Sequence, residues 1–234
     1  MSRRVVVITG ASGGIGSSTV ALFRTLGDEV VGLDITDGFD VTDRLACERV
    51  AADVIAQHGR IDVLCNVAGV GAVGDVVSAN DSEWQSVFSV NVFGLAHMCA
   101  VVLPAMRKAR SGAIINVCSV AASVGLVERA VYSASKGAVL ALTRAMAVDE
   151  VDYGIRVNCV SPGTVASPWV ERLAAATPDP EATMGNLRRR QPLGRLITCA
   201  EVAEAIVYLA APTTYTTGAD FLLDGGITGI RIVK

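Results

Sequence analysis

The chain has 234 residues, 51% of them apolar and only 18% charged, with a formal net charge of −3. That length fits one domain or at most two, and the apolar excess suits a parallel sheet buried on both faces. A mild acidic balance with no basic run argues against a nucleic-acid partner. The apolar run after Met1-Ser2-Arg3-Arg4 is too short for a signal peptide, and no apolar stretch reads as a membrane span, so a cytoplasmic protein is expected.

Taken in order, Val5-Val6-Val7-Ile8 is a continuous β-branched run and hence a buried strand. It runs into Thr9-Gly10-Ala11-Ser12-Gly13-Gly14-Ile15-Gly16, and a helical pattern follows from Ser17 to Leu26. Strand, glycine turn and helix together make a cradle for a pyrophosphate: glycines let the backbone approach, and the helix start offers unpaired N–H groups. The spacing is Gly-x-x-x-Gly-x-Gly, not the commoner Gly-x-Gly-x-x-Gly. A second strand, Glu29 to Asp34, ends in an acid 18 residues after Gly16, the distance at which a carboxylate meets adenosine ribose hydroxyls. No Arg or Lys lies between Gly10 and Gly16, so NAD is expected over NADP.

Only Ile35 to Phe39 separate Asp34 from Asp40-Val41-Thr42-Asp43, which leaves no room for a crossover helix. Leu45 to His58 reads as a helix capped by Thr42 or Asp43. Ile61 to Asn66 is the next strand, counted as the fourth, and leads into the turn Asn66-Val67-Ala68-Gly69. Asp81 to Ala109 is a long helical stretch containing Asn91, apolar almost all round. The helix from Ser133 to Val148 is similar. A helix without a polar face is covered on both sides, so a homo-oligomer, a tetramer in preference to a dimer, is expected on these two. Ala113 to Cys118 is a buried strand that ends at Ser119. Ile155 to Val160 delivers Ser161-Pro162-Gly163-Thr164-Val165 to the same edge. The stretch 166–195, with four prolines, is long enough for a substrate lid. Ala200 to Ala210 is a helix, and Gly218 to Leu223 the last strand, closed by Asp224-Gly225-Gly226. The whole reads as one α/β domain over 1–234, a Rossmann-type doubly wound parallel sheet of about seven strands.

Six scattered cysteines form no Cys-x-x-Cys pair, and the two histidines stand apart, so neither disulfides nor a metal site is expected. The chemistry falls instead on Tyr132-Ser133-Ala134-Ser135-Lys136. A tyrosine and a lysine four residues apart share a helix face, and an ammonium beside a phenol favours the phenolate. That phenol can take a hydroxyl proton or return one to a carbonyl. Alone, such a pair is most often a half-buried ring beside a solvated amine; the surrounding motifs decide.

Together these pieces resemble the short-chain dehydrogenase/reductase family over nearly the whole chain. The motifs are Thr9-Gly10-x-x-x-Gly14-Ile15-Gly16, Asp40-Val41, Asn66-Val67-Ala68-Gly69, Asn91, Ser119 with Tyr132-x-x-x-Lys136, Pro162-Gly163 and Asp224-Gly225-Gly226. Val67 departs from the asparagine common there, and the short link after Asp34 departs too. The resemblance implies that Tyr132 is the acid/base, with Lys136 stabilising its phenolate and holding the nicotinamide ribose. It implies that Ser119 orients the substrate oxygen and Asn91 supports a proton-relaying water. The cofactor would lie along Gly10, Ser12, Gly14, Ile15, Gly16, Asp34, Asp40, Val41, Asn66, Ala68, Gly69, Pro162, Gly163, Thr164 and Val165. Hydride would pass between nicotinamide and a secondary alcohol carbon.

The substrate is expected to carry a carboxylate. Arg129 lies three residues before Tyr132, and the lid holds Arg172 and Arg190; arginines over a pocket grip a carboxylate bidentately. The pattern is similar to the hydroxy-acid branch of the family, the (R)-3-hydroxybutyrate and 2-keto-3-deoxy-sugar-acid dehydrogenases, where arginines matching these three face the carboxylate. Two alternatives are a reductase of uncharged ketones with structural arginines, and a cofactor-binding scaffold without catalysis.

Overall fold

A computed structural model describes residues 3–230. Six parallel strands form the main sheet in the order β2-β1-β3-β4-β5-β8: β1 (Val5–Thr9), β2 (Glu29–Leu33), β3 (Val63–Asn66), β4 (Gly112–Val117), β5 (Ile155–Pro162) and β8 (Asp220–Leu223). All five pairings are parallel. Successive residues of one strand serve opposite cores. Val5 and Val7 pack on one face with α2 (Arg44–His58), α4 (Leu95–Ala109) and α5 (Ala130–Glu150). Val6 and Ile8 pack on the other with α1 (Gly14–Thr25) and α8 (Cys199–Ala210). Burial on both faces is why the strand reads as an unbroken apolar run rather than an alternating one.

The main sheet has six strands where about seven were expected; the short link after Asp34 carries no strand. Asp34 caps a single 3-10 turn, Ile35–Asp37, and its carboxylate accepts from Thr36 N. Asp40 then folds onto Thr42, and Asp43 caps α2 by accepting from Leu45 N and Ala46 N. A link this short cannot make the crossover that a parallel neighbour requires.

The stretch 81–109 is not one regular helix. α3 (Asp81–Phe88) passes through a π-helical segment, Ser89–Gly94, into α4. The whole stretch is long and apolar enough to cross a membrane by composition, contrary to expectation. Its buried residues, among them Met98, Val102 and Met106, are part of the core against the sheet. A fully apolar helix between sheet and surface passes the same compositional test as a membrane span. Outward faces remain: Phe93 and Val148 are exposed.

The stretch 166–195 is helical, held at its neck by a parallel pair of short strands, β6 (Val165–Ala166) and β7 (Ile197–Thr198). Between them lie α6 (Pro168–Ala175), capped by Ser167, and α7 (Pro180–Arg189), capped by Asp179. Each helix opens on a proline, which costs nothing where the N–H would be unpaired.

Gly137 stands in mid-α5, where a Cβ would meet nothing within 4 Å. Gly137→Ala is expected to raise unfolding stability by about 0.5–1 kcal/mol, read from a denaturant midpoint. A loss instead would show that another surface covers this face.

Candidate active site

The chain runs from β1 out to β2 and returns to β3 on the other side of β1. The carboxyl ends of β1 and β3 therefore flank the switch point, where open α/β sheets bind ligands. Thr9 Oγ1 accepts from Val67 N and Ala68 N, each at 3.2 Å, and so joins the two turns. Gly10 has φ +66°, and a Cβ on it would stand 2.7 Å from Ala68 N. A Cβ on Gly16 would stand 1.9 Å from Gly10 O. Both glycines are required by close backbone approach. α1 begins at Gly14 with no side-chain cap, so its first N–H groups and positive dipole end are free for an anion. A glycine cradle of this shape at an uncapped helix start fits the pyrophosphate of a dinucleotide.

At the β2 side of the crevice, Asp34 is nearly buried. Its carboxylate accepts from Ser12 N at 3.0 Å and from Thr36 N and Oγ1 at 3.0 Å each. Burial opposes the charge, but these hydrogen bonds prevail and hold the carboxyl below its usual value. Val41 is packed under Gly94 of the π-helical segment, where a Cβ would come 2.6 Å from Val41 Cγ2. The Val41 side chain therefore faces the helix, and its carbonyl meets His97 Nδ1 at 3.1 Å. Asp40 spends its Oδ1 on Thr42.

At the centre, three motifs meet. Asn91, on the π-helical turn, is 2% exposed. It accepts from Val70 N at 2.8 Å, donates to Val70 O at 2.9 Å, and donates to Ser135 Oγ at 3.0 Å. The widened turn sets Asn91 facing the chain just beyond Gly69, and π-bulges recur at functional sites for this reason. A Cβ on Gly69 would lie 3.2 Å from Asn91 Oδ1 and 3.6 Å from Lys136 Nζ. Lys136 is 5% exposed and donates to Val117 O at 2.8 Å. Its Nζ is 5.8 Å from the centroid of the Tyr132 ring, one turn away on α5. Ser119 follows Val117 by two residues, caps a 3-10 turn by accepting from Ala121 N at 3.1 Å, and keeps its own proton to donate. Asn66 lies deeper. It donates to Asn116 Oδ1 at 2.9 Å, and Asn116 donates to Thr143 on α5.

Of the three arginines singled out, Arg129 and Arg190 feel each other's charge. Arg129 opens α5, half-buried, and donates to Glu128 O at 3.0 Å and Ala72 O at 3.4 Å. Burial, and then the neighbouring Arg190, push its guanidinium below the usual value, while Tyr132 acts in the opposite sense. Arg172 is exposed on α6. Among the described residues none of the three makes an ion pair.

Several contributors escape the sequence motifs. Ser135 inside the Tyr-x-x-x-Lys segment anchors Asn91. Trp169 lies against Gly71, where a Cβ would come 2.3 Å from the indole. Gln191 is a buried amide at the end of an exposed arginine run. A polar, uncharged residue closing that run was the available signal for Gln191; the other two leave none without coordinates.

A dinucleotide cradle, a phenol paired with a buried ammonium and a hydroxyl donor define a nicotinamide-dependent oxidoreductase of the Rossmann type. The family model described as Enoyl-(Acyl carrier protein) reductase matches residues 38–228. The chain is 38% identical over 243 residues to Dehydrogenase/reductase SDR family member 6 of Xenopus laevis, covering 97% of this chain and 98% of that one. It is 36% identical over 242 residues to L-fucose dehydrogenase of Mus musculus, covering 96% and 88%. Ligand-free aldohexose dehydrogenase of Thermoplasma acidophilum superposes with a TM-score of 0.93 at 30% identity, over 99% of this chain and 96% of that one. ElxO with NADP bound gives 0.88 at 25%, over 97% and 99%. The chain belongs to the short-chain dehydrogenase/reductase family, and it is an oxidoreductase acting on CH–OH groups of small molecules.

Proposed function

We propose that the protein is an NAD-dependent dehydrogenase of a small hydroxy acid, a sugar acid or a 3-hydroxy acid. The observation that carries this reading is Arg129, half-buried three residues before Tyr132 and without an ion pair among the described residues; burial and then Arg190 disfavour its charge, while Tyr132 and Glu128 favour it. Partly burying a charge without a partner is unfavourable, and a planar guanidinium suits a carboxylate. Arg172, on the exposed side of α6, is the third arginine of the clamp. The preference for NAD is supported by Asp34, whose ionised carboxylate repels a 2′-phosphate. No Arg or Lys stands between residues 35 and 43, where Asp37, Asp40 and Asp43 add negative charge.

The bound cofactor supplies hydride transfer. This chain's part is placement and proton handling. Ser119 donates to the substrate oxygen, and Tyr132 takes the hydroxyl proton at its phenolic oxygen. Lys136, held by Val117 O, keeps a positive charge beside that oxygen. Asn91, fixed by Val70 and Ser135, positions the turn at Gly69 against the amine. The exposed Phe93 and Val148 support a homo-oligomer built on the 81–109 stretch and α5.

A second reading, oxidation of a neutral sugar, is favoured by the relatives that oxidise L-fucose and aldohexoses. One substrate panel separates the two. Hydroxy acids, their carboxylate-free analogues and aldohexoses are assayed with NAD and with NADP, in the wild type and in Arg129→Leu. The carboxylate substrates are expected to lead in kcat/KM, and Arg129→Leu to cost them about 30-fold or more, the worth of a charge-assisted pair. Equal turnover of charged and uncharged alcohols removes the clamp; tighter use of NADP removes the role given to Asp34.

A further inference from the structure

Gln191 is 3% exposed, yet Arg188, Arg189 and Arg190 before it are all exposed. Burying an amide is unfavourable unless it is hydrogen-bonded. Its Nε2 donates to Thr164 Oγ1 at 3.1 Å and, at the long distance of 3.4 Å, to Leu187 O. The fit is tight against Gly163 and an ordinary contact against Gly225. A Cβ on Gly163 would stand 2.4 Å from Gln191 Oε1, and one on Gly225 would stand 3.6 Å from Gln191 Cβ. Gln191 comes from the far end of the 166–195 excursion and Thr164 from its near end. The same two ends are joined by Ile197 N donating to Thr164 O at 3.1 Å. Gly194 N donates to Gln191 O at 2.7 Å, which fixes the backbone that carries the amide.

The direction of the Gln191–Thr164 bond matters more than its strength. An amide N–H can only donate, so Thr164 Oγ1 is the acceptor and its own proton is turned away from Gln191. We propose that Gln191 is a positioning residue: by filling one acceptor site of the Thr164 hydroxyl it leaves the hydroxyl proton free to be donated toward the nicotinamide half of the bound dinucleotide. This rests on the reading that the dinucleotide runs from Asp34 at the β2 end, past the Gly10–Gly16 loop, to the ends of β4 and β5. Strand order supports that path, since β2 and β5 lie on opposite sides of the switch point. The acceptor on the ligand is then a neutral oxygen such as a carboxamide carbonyl, and the adenine half never meets Thr164.

The test is calorimetric binding of NADH and of ADP-ribose, which lacks the nicotinamide, to the full chain. Wild type is compared with Gln191→Glu, Gln191→Leu, Thr164→Val and the Thr164→Val, Gln191→Leu double variant. At pH 8 the carboxylate introduced by Gln191→Glu accepts from Thr164 and reverses the bond, whereas Gln191→Leu removes it. Both are expected to weaken NADH by about tenfold and to leave ADP-ribose within about twofold, the scale of one oriented hydrogen bond. Thr164→Val is expected to show the same selective loss, and adding Gln191→Leu to it no more. Equal losses for both ligands would make Gln191 a mere prop of the lid and overturn the proposal, as would no loss for either. A wild-type chain that binds ADP-ribose and NADH equally would place the fault in the assumed dinucleotide path itself. None of these readouts depends on the substrate, so failure of the hydroxy-acid reading stays separate.

Discussion

Tyr132→Phe is expected to lower kcat by about 10²–10⁴-fold, the contribution of a placed proton-transfer group. Only the hydroxyl is lost. The ring packs against the cluster of Ala72, Val87 and Val131, with Trp84 beside it, and phenylalanine fills the same space. Lys136 keeps its bond to Val117 O, which does not involve the phenol. The folded state and cofactor affinity should therefore stay near wild type, and the loss should fall on kcat rather than on binding. Stopped-flow turnover beside a cofactor titration reads both quantities. A variant that retains turnover within a factor of three would remove Tyr132 from proton transfer and overturn the acid/base assignment.

Gly16→Ala should disable the protein by a different route. The added carbon would sit 1.9 Å from Gly10 O, 2.7 Å from Gly10 C and 3.0 Å from Ala11 Cα, all backbone atoms that cannot swing away. Either α1 must back off from the loop or the loop must open, and both misplace the N–H groups meant for the pyrophosphate. Overpacking of this kind costs about 1–3 kcal/mol of stability. The affinity for NADH and for ADP-ribose should collapse together, because the pyrophosphate is common to both. Gly13→Ala is the control. There the nearest atom to an added Cβ is Gly10 O at 3.4 Å, an ordinary contact, so binding should fall far less. If the two variants bind alike, the loop is not the phosphate cradle.

Much of this molecule is legible in one dimension because its signals are local. The runs Val5–Thr9 and Gly112–Val117 are apolar on both faces, and that pattern means a parallel sheet with helices on each side. The glycines at 10, 14 and 16, the acid at 34 and the Tyr132/Lys136 spacing fall on one edge, because parallel strands deliver every βα turn to the same side. Places where the reading went astray depend on space rather than pattern. The count of about seven strands fails because the link after Asp34 is too short to carry one, and the apolar stretch 81–109 conceals a π-helical widening that hydropathy does not register.

The amino-acid order by itself therefore determined the fold class, the glycine loop at the start of α1 and the Tyr132/Lys136 spacing, since each depends on residues one strand, one turn or one helical turn apart. The tertiary structure alone decided which side chains from distant segments share a site. It set Asn91 against Gly69 and Lys136, and turned Gln191 inward onto Thr164 while Arg172 stayed at the surface. The physical reason is that a helix or strand announces its period in sequence. The angle at which a lid closes is fixed only by the sum of many small packing contacts across the chain.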